Sequence, residues 1–302
     1  MNFEDLLTEQ RNRHSTHIDE VSSLEMADIM NREDQRVGRA VQKELPNVAR
    51  AIDAAVINFN NGGRLIYIGA GTSGRLGVLD ATELKPTYGL DDDQAFGIVA
   101  GGMEAMAKTI DGAEDNSKQG AEDLRNVKLT DQDIVIGITA SGTTPYTHGA
   151  LAYAAGIGAL TIGITCVADS PLEAVSSITL CPIVGPEVIT GATLMKAGTA
   201  QKMILNMLST GIMIKSGKVY QNLMINVVPT NAKTMQRAKR IIAAATETST
   251  LAAERALSRT NNNVPLAIVL IETKGTIEEA KRLLDAADGH ISKAVNLSDN
   301  VK

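Results

Sequence analysis

Leu65-Ile66-Tyr67-Ile68-Gly69-Ala70-Gly71-Thr72-Ser73-Gly74-Arg75 is repeated in outline by Ile134-Val135-Ile136-Gly137-Ile138-Thr139-Ala140-Ser141-Gly142-Thr143-Thr144. In each, a short apolar run breaks into Gly, Ser and Thr, and an apolar helical pattern follows. The order predicts a strand, a tight turn and a helix start, twice over. Glycines let backbone approach an anion closely, and a helix N-terminus offers unpaired N–H groups with a partial positive charge. Gly74 closes the first loop, and the hydroxyls of Thr72, Ser73, Ser141, Thr143 and Thr144 add donors. Two such loops in one sheet point to phosphate carried on a small molecule.

The first loop also fits the G-x-G-x-x-G pattern of dinucleotide-binding folds. Such a fold wants an acidic residue at the end of its second strand, about 20 residues further on. Asp91, Asp92 and Asp93 lie near that distance, but they follow Gly89-Leu90 as a run and read as a solvated turn. A dinucleotide also leaves the second Ser/Thr loop unexplained.

The chain has 302 residues, 44% of them hydrophobic, enough for one large domain or two smaller ones with a sizeable core. The net charge of −6, with no basic cluster, argues against a nucleic-acid partner, because phosphate backbones demand a Lys/Arg footprint. Trp is absent and aromatics make up 3%, so stacking platforms are scarce. Cys166 and Cys181 fall in apolar, strand-like segments and read as buried thiols. The first residues lack the basic and apolar regions of a secretory signal, and no apolar run reaches membrane-spanning length. These features lead us to expect a cytoplasmic protein with no membrane association.

Residues 1–50 are polar, with helical spacing. Ser22, Ser23 and Glu25 precede Met26, Ile29 and Met30 as a capped helix start does. Pro46 opens a second helix carrying Val48, Ala51, Ile52, Ala55, Val56 and Phe59 on one face. Strands are expected over 64–69, 94–99, 133–139, 159–165 and 178–182. Helices are expected over 74–84, 102–110, 115–125, 145–156 and 170–176. Near-continuous apolar strands separated by helices mean an α/β fold whose parallel sheet is covered on both faces. A long helix is expected from about 193 to 216. After Val228-Pro229-Thr230-Asn231 the character changes. The stretch 232–258 is Ala-rich and helical, 265–272 reads as helical or extended, and Thr276 to Ala286 is a helix with Thr276 and Glu279 as a capping box. The expected division is an N-terminal helical segment over 1–50, a sheet domain over 51–231 and a small helical domain over 232–302.

Two carboxylates stand out as candidate acid–base groups. Glu83 lies at the far end of the helix that starts at the first loop, where the macrodipole disfavours a negative charge. Lys85 offers one offset, and a solvated helix end is the simpler reading. Glu83 is ten residues beyond Ser73, or about 15 Å along a straight helix, so it is placed to serve a site other than its own loop's. Glu114 lies between two helical patterns, where an N-terminal charge complementing a helix dipole is the structural alternative. His14 and His17 have the i, i+3 spacing of a ligand pair but lack neighbouring Cys or a matching His pair, so we expect a solvent-facing pair and no metal. A Ser-His-Asp arrangement and a G-x-S-x-G elbow are both missing.

The two Ser/Thr loops resemble those of the SIS (sugar isomerase) domain, which binds phosphosugars. Thr8-Glu9-Gln10-Arg11-Asn12, Gly69 through Glu83, Asp111-Gly112-Ala113-Glu114-Asp115, Met195 through Lys202 and Tyr220-Gln221-Asn222-Leu223-Met224 together resemble the N-acetylmuramic acid 6-phosphate etherases. The resemblance covers nearly the whole chain. It departs at Gly191-Ala192-Thr193-Leu194, where the family pattern has Gly-Ser-Ser/Thr-Arg. It implies an SIS-type three-layer sandwich over 51–231 and a homodimer with its site at the subunit interface. The implied reaction is a cofactor-free elimination of D-lactate from C3 of the open-chain phosphosugar, followed by addition of water. Carried over by position, Glu83 is the proton donor to the departing lactyl oxygen and Glu114 the base at C2. The phosphosugar-binding groups are Thr72, Ser73, Gly74, Ser141, Thr143 and Thr144. A phosphosugar isomerase and a non-catalytic phosphosugar-binding regulator stand as alternatives on the same domain.

Overall fold

A computed structural model describes residues 6–229 and 231–299. Residues 1–5, on which the leader reading partly rests, and Thr230, in the segment where the character changes, lie outside them. The expected strands form as β1 (Leu65–Gly69), β2 (Ala95–Val99), β3 (Ile134–Ile138), β4 (Leu160–Ile164) and β5 (Ile178–Leu180). They pair in parallel in the order β2-β1-β3-β4-β5. Every residue of β1 and β3 is buried, as the unbroken apolar runs require when helices flank a sheet.

The two central strands begin at a shared anchor. Arg64, just before β1, donates from Nε to Asp133 Oδ1 at 3.0 Å and from Nη2 to Oδ2 at 2.7 Å. Asp133 stands just before β3. Burial pushes its carboxyl up, but hydrogen bonds from Arg64 and Thr130 outweigh burial and hold it below the usual range.

The helices follow the same logic. Ser22 caps α1 (Ser23–Lys43) by accepting from Glu25 N at 3.3 Å. Pro46 sits in the first turn of α2 (Leu45–Asn60), which buries Val48, Ala51, Ala55 and Phe59 and packs on β3, β4 and β5. After β1 comes α3 (Gly71–Tyr88), and α4 (Ser117–Asn126) and α5 (Pro145–Ile157) bracket β3. Leu124, Tyr146 and Leu151 of the last two form one core with Ile66, Ile68 and Val135 of the sheet. The long helix forms as α6 (Lys196–Lys215).

Four expectations change. The first loop is itself helical, because α3 starts at Gly71 and continues through Pro86 to Tyr88. Glu83 therefore lies more than one turn before the helix end at Tyr88, and the macrodipole argument against a carboxylate there lapses, since that effect fades within one turn of the end. The stretch 102–110 yields only a 3₁₀ turn, Met103–Met106, because Gly101, Gly102 and Gly112 take left-handed backbone around it. Similarly, 170–176 is a 3₁₀ turn, Pro171–Val175. The Ala-rich stretch is two helices, α7 (Ala232–Thr246) and α8 (Thr250–Arg259), parted where Glu247 is left-handed and Ser249 caps the second helix.

Two compact units result. One comprises the described residues up to Thr82 together with Asp92–Ser209; the other comprises Glu83–Asp91 and the described residues from Thr210 on. The second contains a short hairpin of β6 (Val219–Tyr220) and β7 (Leu223–Met224). Its core gathers Ile225, Ile242, Leu257, Ile268 and Ile291 from that region and from α7, α8, α9 (Val264–Thr273) and α11 (Ile291–Asp299). The segment read as helical or extended is thus helical. In α10 (Ile277–Ala286) the capping box is complete: Thr276 N donates to Glu279 Oε2 at 2.8 Å and Glu279 N to Thr276 Oγ1 at 3.2 Å. Among the described residues no helix is long and apolar enough to cross a membrane.

Candidate active site

The strand order fixes where a ligand fits. The helix after β1 leads to β2 on one side of β1, while β3 lies on its other side and leads on to β4. Gly69 and Ile138, the last residues of β1 and β3, are register partners. The loops that follow them therefore leave neighbouring strand ends in opposite directions, and a crevice opens between them. Both Ser/Thr loops are those two loops.

In the first loop, Gly74 N makes an early helical bond to Ala70 O at 3.3 Å, so the N–H groups of Gly71, Thr72 and Ser73 precede it in the opening turn. Gly74 lets that turn start hard against the strand: a Cβ there would lie 2.4 Å from Gly69 O. In the second loop, Gly142 has φ +72°, and a Cβ would meet the Ser170 side chain at 2.3 Å. Ser141 Oγ and Thr143 Oγ1 lie 2.8 Å apart, and Thr143 N donates to Ser141 Oγ at 3.2 Å. Thr144 Oγ1 is 2.7 Å from Thr139 Oγ1, and Pro145 starts α5 directly behind it.

A cleft of about 310 Å³ lies over these loops. Thr72, Ser73, Ser141, Thr144 and Glu114 line it, so five of the expected site residues come together. Gly74 and Thr143 are not among the lining residues; they shape the two turns. Glu83 is exposed, does not line the cleft, and lies ten residues past Ser73 on the unbroken α3. Glu114 is exposed on the 3₁₀ turn Ala113–Asp115, ahead of α4, whose cap is Asn116. Sequence reasoning missed Glu9, Thr109, Thr139 and Thr193, which also line the cleft. Glu9 and Thr193 stand in stretches already singled out, but no local pattern gave them a task.

The lining's chemistry is selective. Its ionisable groups are Glu9 and Glu114, and Lys, Arg and His are absent among the described lining residues. An anion there meets backbone N–H groups, hydroxyls and the N-termini of α3 and α5. Two carboxylates remain to exchange protons with a bound sugar.

Buried polar groups hold these parts in place. Ser73 Oγ donates to Gln201 Oε1 on α6 at 3.0 Å. Glu187 caps α6, accepting from Lys196 N at 3.0 Å and Ala197 N at 2.9 Å; burial still pushes its carboxyl above the ordinary range. Lys196 Nζ donates to Glu33 Oε2 at 2.5 Å, and Asn12 Nδ2 donates to the same oxygen at 2.9 Å and to Pro186 O at 3.1 Å. Burial raises Glu33, but the bonds from Lys196 and Asn12 and the charges of Lys196 and Arg36 outweigh it and hold the carboxyl low. This network ties the segment bearing Glu9 to the helix bearing Gln201.

Other candidates find bland places. His14 and His17 are exposed and face different carboxylates, Glu33 at 3.2 Å and Glu20 at 3.7 Å. Cys166 is buried and Cys181 half-buried, both as free thiols; burial pushes both up, Cys181 to about 12. The dinucleotide pattern meets Val99-Ala100-Gly101 at the end of β2, where a ribose-binding carboxylate belongs, and Asp91–Asp93 precede that strand.

Comparison with known proteins agrees with this geometry. Residues 47–155 match the glucokinase regulatory protein N-terminal SIS domain, and residues 118–211 match the SIS domain. The chain is 67% identical to an N-acetylmuramic acid 6-phosphate etherase of Levilactobacillus brevis, over 99% of each chain. It is 53% identical to the enzyme of that name from Lactobacillus acidophilus, covering 98% of this chain and 99% of the relative. It is 52% identical to that from Clostridium botulinum, covering 98% of each. With identity of this order along its whole length, the chain belongs to the N-acetylmuramic acid 6-phosphate etherase family.

Proposed function

We propose that this chain cleaves the D-lactyl ether of N-acetylmuramic acid 6-phosphate, giving N-acetylglucosamine 6-phosphate and D-lactate. The observation that carries the reading is the single cleft in which both Ser/Thr loops meet a carboxylate, in a chain of this family. The phosphate is held by the first turn of α3 and by Ser73, Thr72, Ser141 and Thr144. With the sugar in its open-chain form, the C2 hydrogen lies beside the aldehyde and is acidic. Glu114 removes it, the electron pair forms the C2–C3 double bond, and the C3–O bond breaks. Glu83 protonates the departing lactyl oxygen. Water then adds at C3 and a proton returns to C2, so the atoms balance and no electrons are gained or lost. The two carboxylates must hold different protonation states at once.

Glu83 acts, in this reading, from a second copy of the chain. Its exposure, its place about 15 Å along α3 from Ser73 and its absence from the cleft's lining support that assignment. The test separates the two roles. Glu83→Gln is expected to lose lactate release yet still exchange the C2 hydrogen with heavy water, followed by NMR. Glu114→Gln is expected to lose both, because proton removal precedes expulsion. Mixing the two variants restores part of the turnover only if each site draws on two chains. Exchange that survives in Glu114→Gln and vanishes in Glu83→Gln reverses the roles. Full turnover in both variants removes them from catalysis, and folded parent protein that releases no lactate favours a non-catalytic phosphosugar regulator.

A further inference from the structure

Gln201 has no part in the reaction as described, although it stands in the Met195–Lys202 stretch that marks the family. Its side chain is on α6 and only 1% exposed, and Ser73, which lines the cleft, is 8% exposed. Ser73 Oγ donates to Gln201 Oε1 at 3.0 Å, while Gln201 Nε2 has no hydrogen-bond partner among the described residues. This arrangement is doubly unfavourable for a phosphate site. A serine hydroxyl carries one proton, and here it is committed to the amide oxygen. Ser73 then turns only lone pairs toward the cleft, and a phosphate dianion is itself purely an acceptor. At the same time a buried amide donor goes unused, which folded proteins rarely tolerate.

One motion frees the Ser73 proton and puts the amide donor to use. A half-turn of the Gln201 amide exchanges its oxygen and nitrogen in place. Nε2 then donates to Ser73 Oγ, and the Ser73 proton is released toward the cleft. We propose that Gln201 is a positioning residue that, when phosphate is bound, donates its amide N–H to Ser73 Oγ and so aims the Ser73 hydroxyl proton at a phosphate oxygen. The inference rests on the reading of Ser73 as a phosphate ligand. It assigns to α6 the task of setting the polarity of the phosphate loop on α3.

The test is binding of N-acetylglucosamine 6-phosphate by calorimetry, with unphosphorylated N-acetylglucosamine as control and thermal midpoints confirming that each variant folds. Gln201→Glu keeps the shape and, at pH values where its buried carboxyl is ionised, only accepts, so it retains the Ser73 proton; there a loss of about tenfold or more in affinity is expected, confined to the phosphorylated sugar and relieved as falling pH protonates the carboxyl. Gln201→Met has neither donor nor acceptor and leaves the hydroxyl unaimed; about twofold to tenfold is expected. In the Ser73→Ala background, Gln201→Met is expected to cost nothing further, because the residue through which it acts is gone. Should Gln201→Glu fail to fold, that double-mutant cycle carries the test alone. Equal losses from Gln201→Met with and without the Ser73 hydroxyl overturn the inference, as does parental affinity in a folded Gln201→Glu. If Ser73→Ala itself binds as tightly as the parent, the phosphate reading of Ser73 fails first and takes this inference with it.

Discussion

Replacing Lys196 by methionine removes a cation of nearly equal length from a place where water cannot follow. The Lys196 and Glu33 side chains are 1% and 3% exposed and meet at 2.5 Å. Removing one partner of a buried pair costs about 3–5 kcal/mol, because the other charge is left in a poorly solvating interior. Glu33 retains Asn12 Nδ2 at 2.9 Å, Arg36 at 3.1 Å and His14 at 3.2 Å, so we expect the low end, about 3 kcal/mol. Urea denaturation at a series of pH values measures it. In the parent, Glu33 titrates below its ordinary 4.5, so its contribution is present above that pH and is lost as pH falls through the folded value. In Lys196→Met the bond and charge of Lys196 no longer oppose burial, so the folded carboxyl titrates higher than in the parent and the folded state loses less on protonation. The gap between variant and parent is therefore expected to narrow as pH falls, and adding Glu33→Gln to Lys196→Met is expected to recover part of the loss at neutral pH. A neutral-pH loss under about 1 kcal/mol, the scale of a surface pair, or a gap that does not change with pH, refutes the argument.

Two further outcomes follow from the frame around the cleft. Arg64→Met strips the guanidinium from Asp133, whose side chain is 2% exposed, but leaves its bonds from Arg64 N and Thr130; about 2–3 kcal/mol of stability is expected to go, measured by denaturation at neutral pH, and that difference is expected to shrink as pH falls below 3.8. Gly74→Ala places a Cβ 2.4 Å from Gly69 O, backbone that cannot move aside, so both stability and affinity for N-acetylglucosamine 6-phosphate are expected to fall, by more than about 1 kcal/mol in stability; a variant that matches the parent in both denaturation and calorimetry contradicts the close packing of α3 on β1.

The fold was legible because its signals are local. Leu65–Gly69 and Ile134–Ile138 are short apolar runs without alternation, followed by Gly-rich turns, as doubly covered strands are, and Ser22, Thr276 and Glu279 announce helix starts by their own chemistry. The failures were also local conflicts. Thr72 and Ser73 have turn-like composition, and nothing short of the tertiary packing of Gly74 on β1 reveals that they begin a helix. The stretch 102–110 has apolar spacing, but its flanking glycines spend it on a 3₁₀ turn. At the site, the hydroxyl loops could be read because each follows a strand and leads into a helix, whereas Glu114 stood out through the resemblance, its own position also allowing a helix-dipole charge. Glu9 could not, since the segment that bears it is anchored by contacts between residues far apart in sequence, Asn12 with Glu33 and Pro186, and Ser15 with Val188.

Among the described residues the cleft's lining holds no cationic side chain, which bears on the chemistry proposed. A guanidinium or ammonium beside Glu114 would bind phosphate more strongly, but it would also lower that carboxylate's proton affinity by one to three pKa units, by roughly the usual effect of a near cation. A base that must take a proton from carbon loses rate as its pKa falls. Helix N-termini and hydroxyls separate the two demands. Their N–H and O–H groups are short-range donors aimed at the phosphate, and the dipole's influence fades within a turn. In the proposed reading, Ser73 and the opening of α3 grip the anion with neutral donors, and no described lining residue places a cation beside Glu114. In the proposed reaction, donors without net charge let the site bind one negative charge and leave the other free to act as a base.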